Sequence, residues 1–404
     1  MPASAAPGSQ PFRRRRIILG VFRRLALALT LSVATGAEPS GSRWPLLAGS
    51  LSGELAAFGD EGPRLAWRLD ALPPEASGRR FTFTLTGAGL SARGGALYQP
   101  ETGALTWRLD QAEVPLSAWL PRVASRVGLP LEGTEAAGTV HVEGEGSWAD
   151  GRPVGSLRVR WEDGTVRHAA DDWELSGIQI VATYDLRGTG QVACTIGGLR
   201  YGPLALQGAQ IDLSLMPDSR ALVTRAALQG LGGRIEAAPF DLSLANPSAT
   251  VRMTLAEISL RQLVALLPPA LSEAQGRLDG EVEASWSAAE GLQITGGWLG
   301  LSEGEEATLR LAPVPGLITA QLTPDNPAYS PLQRVERGET ALSVSLLRLR
   351  FTPRGDENGR TATVRIQAEP VDPLLKAPLQ IDLNVAGPLD QLIKLGMDGR
   401  IRFE

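Results

Sequence analysis

Apolar and polar residues alternate with a period of two along most of this chain, and that pattern commits it to sheet. Phe81-Thr-Phe-Thr-Leu85, Leu105-Thr-Trp-Arg-Leu109, Leu157-Arg-Val-Arg-Trp161 and Ile211-Asp-Leu-Ser-Leu215 are typical, and Leu379-Gln-Ile-Asp-Leu-Asn-Val385 is the longest regular case. Successive strand side chains point to opposite faces, so each run has one apolar and one polar face. Gly, Pro, Asn and Asp punctuate the runs, as at Arg354-Gly-Asp-Glu-Asn-Gly359, and read as turns. Leu342-Ser-Val-Ser-Leu346 runs directly into Leu347-Arg-Leu-Arg-Phe351. The apolar parity flips there, which predicts a β-bulge.

Short helices are expected in three places. Leu260, Leu263, Val264 and Leu267 form a stripe behind a possible cap at Ser259. A second piece is expected within 115–127, interrupted by Pro121, and a third over Leu389–Leu395. The fold class is therefore mainly β, antiparallel, with few helices.

Composition removes several functional classes. The 404 residues are 43% hydrophobic, too apolar for a disordered chain. Lys and Arg number 39 against 44 Asp and Glu, so no basic balance points to nucleic acid. Cys194 is the single cysteine, which excludes an intrachain disulfide and a Cys-x-x-Cys zinc site. It sits in a strand-like run and reads as a small core residue. His141 and His168 are the two histidines. No catalytic signature and no nucleotide-binding loop is present, so a non-enzymatic chain without a cofactor is expected.

Residues 1–37 contain six Arg and no acid, with an apolar stretch from Leu25 to Ala34 and small residues to Ala37. This reads as an export signal cut after Ala34 or Ala37. An uncleaved inner-membrane anchor is the alternative, although Arg23 and Arg24 interrupt the window. Cleavage leaves 33 basic and 44 acidic residues, a net charge of −11. Such a protein has little means of holding anionic headgroups by a basic face.

The chain also repeats itself. Gly138–Trp148 (GTVHVEGEGSW) returns as Gly276–Trp286 (GRLDGEVEASW), and Gly94-Gly95 as Gly232-Gly233, both at an offset of 138. Between these anchors, Val114–Leu120 and Ile258–Val264 are offset by 144. A repeated β unit favours an extended array. The expected organisation is an export or anchor segment (1–37), an N-terminal β segment (38–89), a first repeat unit (90–227) and a second with a C-terminal extension (228–404).

The stretch from Ile196-Gly-Gly-Leu-Arg-Tyr-Gly-Pro-Leu204 through Gly232-Gly233-Arg-Ile235, the Ile258–Leu267 segment, Gly276–Trp286 and Gly291-Leu-Gln-Ile-Thr-Gly-Gly297 resembles the AsmA-like superfamily, and within it the YdbH-like proteins of Gram-negative envelopes. The resemblance covers roughly residues 90–404, as though this chain matched the C-terminal part of a longer member. It implies an elongated, curved β-sheet groove that carries phospholipid between inner and outer membranes. It also implies a periplasmic or envelope location and a small outer-membrane lipoprotein as partner.

On that reading the apolar parity assigns groove-lining residues. Val140, Val142 and Trp148 line it in one repeat, and Leu278, Val282 and Trp286 in the other. Leu342, Val344 and Leu346 continue it, followed by Ile381, Leu383 and Val385. A terminal strand at Arg400, Ile401, Arg402 and Phe403 would dock the lipoprotein by strand addition.

Rival sites have plainer explanations. His141, Glu143 and Glu145 share one strand face, as do Asp279, Glu281 and Glu283. They suit a metal site, but a solvated outer face is what antiparallel sheets normally show. Asp163, Asp171 and Asp172 near His168 suit paired acid/base work but are better explained as a turn and a loop. A structural or assembly envelope protein with a packed core and a carbohydrate-active or carbohydrate-binding β protein are the alternative functions.

Overall fold

A computed structural model describes residues 49–386 apart from 58–62, 74–77, 128–132, 150–151, 170–171, 203, 245–246, 265–270, 288–290, 314–315, 317, 354, 356, 358 and 372–377. The export or anchor segment expected at 1–37, the helix expected over Leu389–Leu395 and the strand expected at Arg400, Ile401, Arg402 and Phe403 lie outside the described residues. Among the described residues twenty-two strands belong to one antiparallel sheet, as the alternation predicts. The chain divides into two compact units, Met1–Val159 and Arg160–Glu404.

The first unit holds β1 (Ser50–Ala56), β2 (Arg64–Ala71), β3 (Arg79–Gly87), β4 (Leu90–Gln99), β5 (Ala104–Pro115), helix α1 (Leu116–Val127), β6 (Thr134–Ala137) and β7 (Thr139–Ala149). Strands β1 to β5 pair in sequence order, and β5 then pairs with β7. Helix α1 runs through Pro121. It places Ala118 and the buried Trp119 against Leu55, Leu65, Leu85, Leu90 and Val114, closing one end of the apolar face.

Strand β8 (Arg152–His168) contains the division between the units. The second unit continues with β9 (Trp173–Asp185), β10 (Thr189–Tyr201), β11 (Leu204–Leu215), β12 (Arg220–Gly230), β13 (Gly233–Ala237), β14 (Phe240–Ser243) and β15 (Ser248–Ser259). Then come α2 (Leu260–Val264), β16 (Leu271–Gln275), β17 (Arg277–Ser287), β18 (Gly291–Leu301) and β19 (Ala307–Leu311). A single 3₁₀ turn (Thr319–Gln321) and α3 (Tyr329–Glu336) precede β20 (Leu342–Phe351), β21 (Arg360–Pro370) and β22 (Leu379–Ala386).

Two places in the chain share one local arrangement, although not at all of the anchors expected from the sequence. The Leu116 amide donates to the Gly138 carbonyl at 3.0 Å, and the Leu260 amide to Gly276 at 3.0 Å. Each helix start is thus tied to the glycine that precedes the return strand. Upstream, the hairpin turn Ala88-Gly89 (φ 49° and 76°) matches Leu231-Gly232 (φ 52° and 73°). Positive φ at both central residues is the geometry of a two-residue hairpin. A Cβ on Gly89 would meet Pro115, and one on Gly232 would meet Ser259, each at 2.9 Å. Gly232 therefore corresponds to Gly89. Gly94-Gly95 instead lie within β4, opposite Phe83 and Thr82. The equal spacing of the two Gly-Gly pairs to the later strands is a coincidence of composition.

The second unit is closed at its C-terminal end by a dry core. Ile258, Leu260, Leu278, Leu309, Leu342, Val344 and Ile366 pack there with Val335 of α3, each no more than 4% exposed. Sequence reading missed α3. Its two inward residues, Leu332 and Val335, make too short a stripe to stand out. Glu336 is 2% exposed and locks α3 to the 3₁₀ turn. Its carboxylate accepts from the Thr319 amide (3.0 Å), the Thr319 hydroxyl (2.7 Å) and the Ile318 amide (3.4 Å). A buried carboxylate needs such donors.

Candidate functional site

Registration of neighbouring strands turns the apolar face into rows that cross the sheet. In the second unit Ile180, Cys194, Ile211 and Ala226 stand opposite one another on β9 to β12. The row continues through Ala237, Met253 and Val282 on β13, β15 and β17. Beside it run Ala182, Val192, Leu213 and Val223. Val223 and Val282 are buried, and the others are half-buried. Apolar side chains lying in a continuous plane therefore keep part of their surface open to solvent. The polar residues between them, such as Gln179, Thr195 and Gln210, project to the other face and are exposed.

In the first unit the same kind of row runs through Ala71, Phe81, Ala96, Trp107 and Gly146, again half-buried. Aromatic rings there face glycines on the neighbouring strand: Trp67 opposite Gly53, Phe83 opposite Gly94, Trp107 opposite Gly146. A Cβ on these glycines would come within 3.0, 2.6 and 2.7 Å of the rings. The rings lie down over the missing side chains, so bulky residues make a level apolar floor.

The residues expected to line this face divide into two groups. Val140, Val142 and Trp148 are half-buried opposite Val114, Ala112 and Leu105. Ile381 is half-buried opposite Ile366, and the register sets Leu383 and Val385 opposite Val364 and Ala362. By contrast, Leu278, Leu342 and Val344 are 1%, 0% and 3% exposed within the dry core. Val282 is 8% exposed, whereas Trp286 on the same face of β17 reaches 40% because it sits near the hairpin tip.

Leu346 leaves the apolar face. The register slips between Val344 and Leu346, as the parity flip predicts, and Leu346 stands opposite the exposed Gln367 while Leu347 meets the buried Ile366. The extra residue rotates everything after it by one face.

The polar face is a lattice of exposed ion pairs. Arg252 meets Glu283 at 2.7 Å, Arg277 meets Glu257 at 2.7 Å, Arg365 meets Asp382 at 2.8 Å and Arg200 meets Asp172 at 3.0 Å. Arg108 stands opposite Glu145 where the second repeat has Arg252 and Glu283. In each of these pairs an arginine is neutralised by a carboxylate.

The rival sites are accounted for one by one. His141 lies 3.9 Å from Glu113 across the strand pair. Among the described residues no group of three or more His, Cys, Asp and Glu is placed to hold a metal ion. His168 stacks on Trp173 with ring centroids 6.0 Å apart. Asp163 occupies a positive-φ position at 51°, and Asp171 lies outside the described residues. Burial pushes the Cys194 thiol up from its ordinary value, so it stays protonated at neutral pH and contributes apolar surface rather than a nucleophile. A cavity of about 360 Å³ at α3 has a mixed lining, with Thr319, Tyr329, Gln333, Glu336 and Arg337 beside Ala320 and Leu322, unlike the apolar rows. Among the described residues no helix is long and apolar enough to cross a membrane.

What remains is a β-sheet protein that offers an extended, partly open apolar surface. Its residues 40–327 match the family model for YdbH-like proteins, described as the intermembrane phospholipid transport protein YdbH. The match spans most of the chain, which therefore belongs to the YdbH-like family. It starts near residue 40 rather than near 90 and ends at 327, so it is not confined to the C-terminal part of the family pattern. Comparison with curated proteins and with solved structures gave no match. The family implies phospholipid transport between membranes, and its members are in general not enzymes.

Proposed function

We propose that this chain is a non-enzymatic carrier that shields phospholipid acyl chains on its half-open apolar rows while they pass between inner and outer membranes. The observation that carries this reading is the row Ile180–Cys194–Ile211–Ala226 with its neighbour Ala182–Val192–Leu213–Val223. An acyl chain laid along a row exchanges water for apolar contact, worth about 0.8 kcal/mol per CH₂. A lipid-length path therefore needs no specific polar contact for affinity. Its headgroup stays in water, which agrees with a polar face on which Arg200, Arg252, Arg277 and Arg365 are already paired with carboxylates. Nothing in this arrangement supplies energy, so direction comes from the membranes or from partners.

The same reading places the chain in the periplasm, exported through residues 1–37 or held by them at the inner membrane, and gives it a part in outer-membrane lipid homeostasis. A small outer-membrane lipoprotein pairing with the C-terminal residues Arg400 to Phe403 would complete the path.

The test is transfer of fluorescent phospholipid between two populations of vesicles. The protein should speed transfer, and Leu213→Asp should remove the effect while the protein stays folded. Unchanged transfer with Leu213→Asp and with Ile211→Asp would overturn the reading.

A further inference from the structure

Arginines and large apolar side chains come together on the polar face of β20 and its neighbours. The bulge before Leu346 puts Leu346, Arg348 and Arg350 on that face, one after another along the strand. Arg348 stands opposite Gly300 on β18 and opposite Arg365 on β21, while Arg350 stands opposite Trp298 and Thr363. Trp298 is 44% exposed. Its ring leans along β18 toward Gly300, where an added Cβ would come within 3.6 Å of it. The indole therefore spans the two strand positions that face the arginines.

Charge is not matched here as it is elsewhere on the polar face. Arg365 is paired with Asp382 at 2.8 Å. Arg348 and Arg350 are exposed, and among the described residues neither makes a hydrogen bond or an ion pair. Arg348 faces Arg365 instead, with Cβ atoms about 5 Å apart, and like charges directly opposite destabilise a sheet. On the other side Asp279 and Glu281 stand opposite Gly300 and Trp298. They are two strands from β20, at about 10 Å, which is a full Debye length at about 0.1 M salt. Asp279 also accepts from the Glu257 amide at 2.8 Å. The acidic balance of the whole chain thus leaves a local basic field at Arg348 and Arg350.

Leu346 and Trp298 are out of place on a polar face. Together with two unpaired arginines they have the composition of a surface that meets a bilayer. Guanidiniums pair with lipid phosphates, an indole sits at headgroup level with its ring apolar and its N–H wet, and a leucine reaches the acyl boundary. A free anion would use the arginines alone.

We propose that Leu346, Trp298, Arg348 and Arg350 form a docking surface for an anionic phospholipid bilayer, on the face of the sheet opposite the apolar rows. Arg348 and Arg350 take lipid phosphates, which offsets the repulsion between Arg348 and Arg365, and Trp298 and Leu346 settle at the headgroup boundary. This surface does not depend on the carrier function proposed above, because it uses the other face of the strands.

The experiment places a photoreactive benzoylphenylalanine at Thr363, opposite Arg350, or at the exposed Gln179 on the polar face of β9, in the full chain. The proteins are mixed with vesicles of phosphatidylcholine alone, or of phosphatidylcholine and phosphatidylglycerol in equal parts. Both kinds carry a trace of radiolabelled phosphatidylcholine, and the mixtures are irradiated. Labelling at one position separates this surface from residues 1–37, whose six Arg are attracted to the same vesicles. Labelling at Thr363 should require phosphatidylglycerol and exceed labelling at Gln179. Arg348→Gln together with Arg350→Gln should lower it about thirtyfold, the loss expected for two basic groups at an anionic surface. Both side chains are exposed, so this variant keeps the fold. A second variant, Trp298→Thr, leaves the charges in place and should also lower the labelling. Labelling that is as strong on phosphatidylcholine alone, as strong at Gln179, or unchanged in either variant overturns the proposal. Loss of labelling when inorganic phosphate replaces chloride at constant ionic strength would show a site for a free anion, which also overturns it. Each of these failures leaves the carrier function standing, because vesicle-to-vesicle transfer reads the opposite face.

Discussion

Phe83 lies across Gly94: the two residues face each other on β3 and β4, and the ring occupies the space a Gly94 side chain would take. A Cβ on Gly94 would run into the Arg108 carbonyl oxygen and come within 2.6 Å of the ring, whereas one on Gly95 would meet nothing nearer than the Phe81 carbonyl oxygen at 3.3 Å. Gly94→Ala is therefore expected to destabilise the protein by about 1–3 kcal/mol as an overpacked site. Gly95→Ala should cost clearly less. Urea unfolding of the two variants side by side checks this, and equal midpoints would show that the ring does not depend on the glycine.

Charge placed on the two parts of the apolar face should act differently. Leu342 is 0% exposed, so Leu342→Asp buries an unpaired carboxylate and should prevent cooperative folding. Leu213 is half-buried, and Leu213→Asp should leave near-native circular dichroism while removing lipid. If both variants fold equally well, the distinction between dry core and open row is wrong.

The Thr319–Glu336 bond should matter to stability and not to lipid. Thr319→Val removes the hydroxyl that donates to Glu336 at 2.7 Å and leaves a buried carboxylate one donor short. A loss of about 1.5–3 kcal/mol is expected for a hydrogen bond to a charged group. Thermal unfolding and lipid content measured on one preparation would separate the two effects.

Strand alternation and the bulge near Leu346 are legible in the sequence, because each depends on a local period of two. What decides function is not local. Leu278 and Val140 occupy the same parity in equivalent strands, yet Leu278 is 1% exposed while Val140 is half-buried. Leu278 belongs to the dry core that Val335 of α3 joins, and Val140 does not. Glu336 shows the same limit. It sits in the charge-rich run Arg334-Val-Glu-Arg-Gly-Glu339, which reads as solvated surface, and its burial follows from packing of α3. Trp286 stands opposite Ala249, and its 40% exposure follows from its place near the end of β17 rather than from its parity. The Gly94-Gly95 anchor misled because strand glycines and turn glycines look alike until φ is known.

Cys194 gives a probe of the floor without mutation. Burial raises its thiol above the ordinary value, so the reactive thiolate is scarcer at neutral pH than in a free cysteine. Alkylation should be slow near pH 7, rise with pH beyond the range of an exposed thiol, and slow further when lipid covers the row Ile180–Cys194–Ile211. Mass spectrometry of the alkylated protein with and without lipid would follow it. Lipid-independent rates would place the acyl chains elsewhere.

Acid should weaken the polar face slightly. The Arg365 guanidinium and the Gln380 amide hold the Asp382 carboxyl below its ordinary value, and Ser50 and Arg68 do the same for Asp70. A depressed folded-state value means that the stabilisation is present above the unfolded value of about 3.9 and fades as pH falls through the folded one. Both groups are solvent-exposed, so the effect is small. Asp382→Asn should flatten the stability curve below about pH 4, with a slight loss of stability at neutral pH and none at low pH, where the wild-type carboxyl is protonated.

Native mass spectrometry of the protein purified from membranes in mild detergent, beside its Leu213→Asp variant, tests the central claim most directly. The wild-type protein should carry masses that match phospholipid, released by organic extraction, and the variant should be folded and free of them. A wild-type protein without lipid, or a variant that retains as much, would contradict the account.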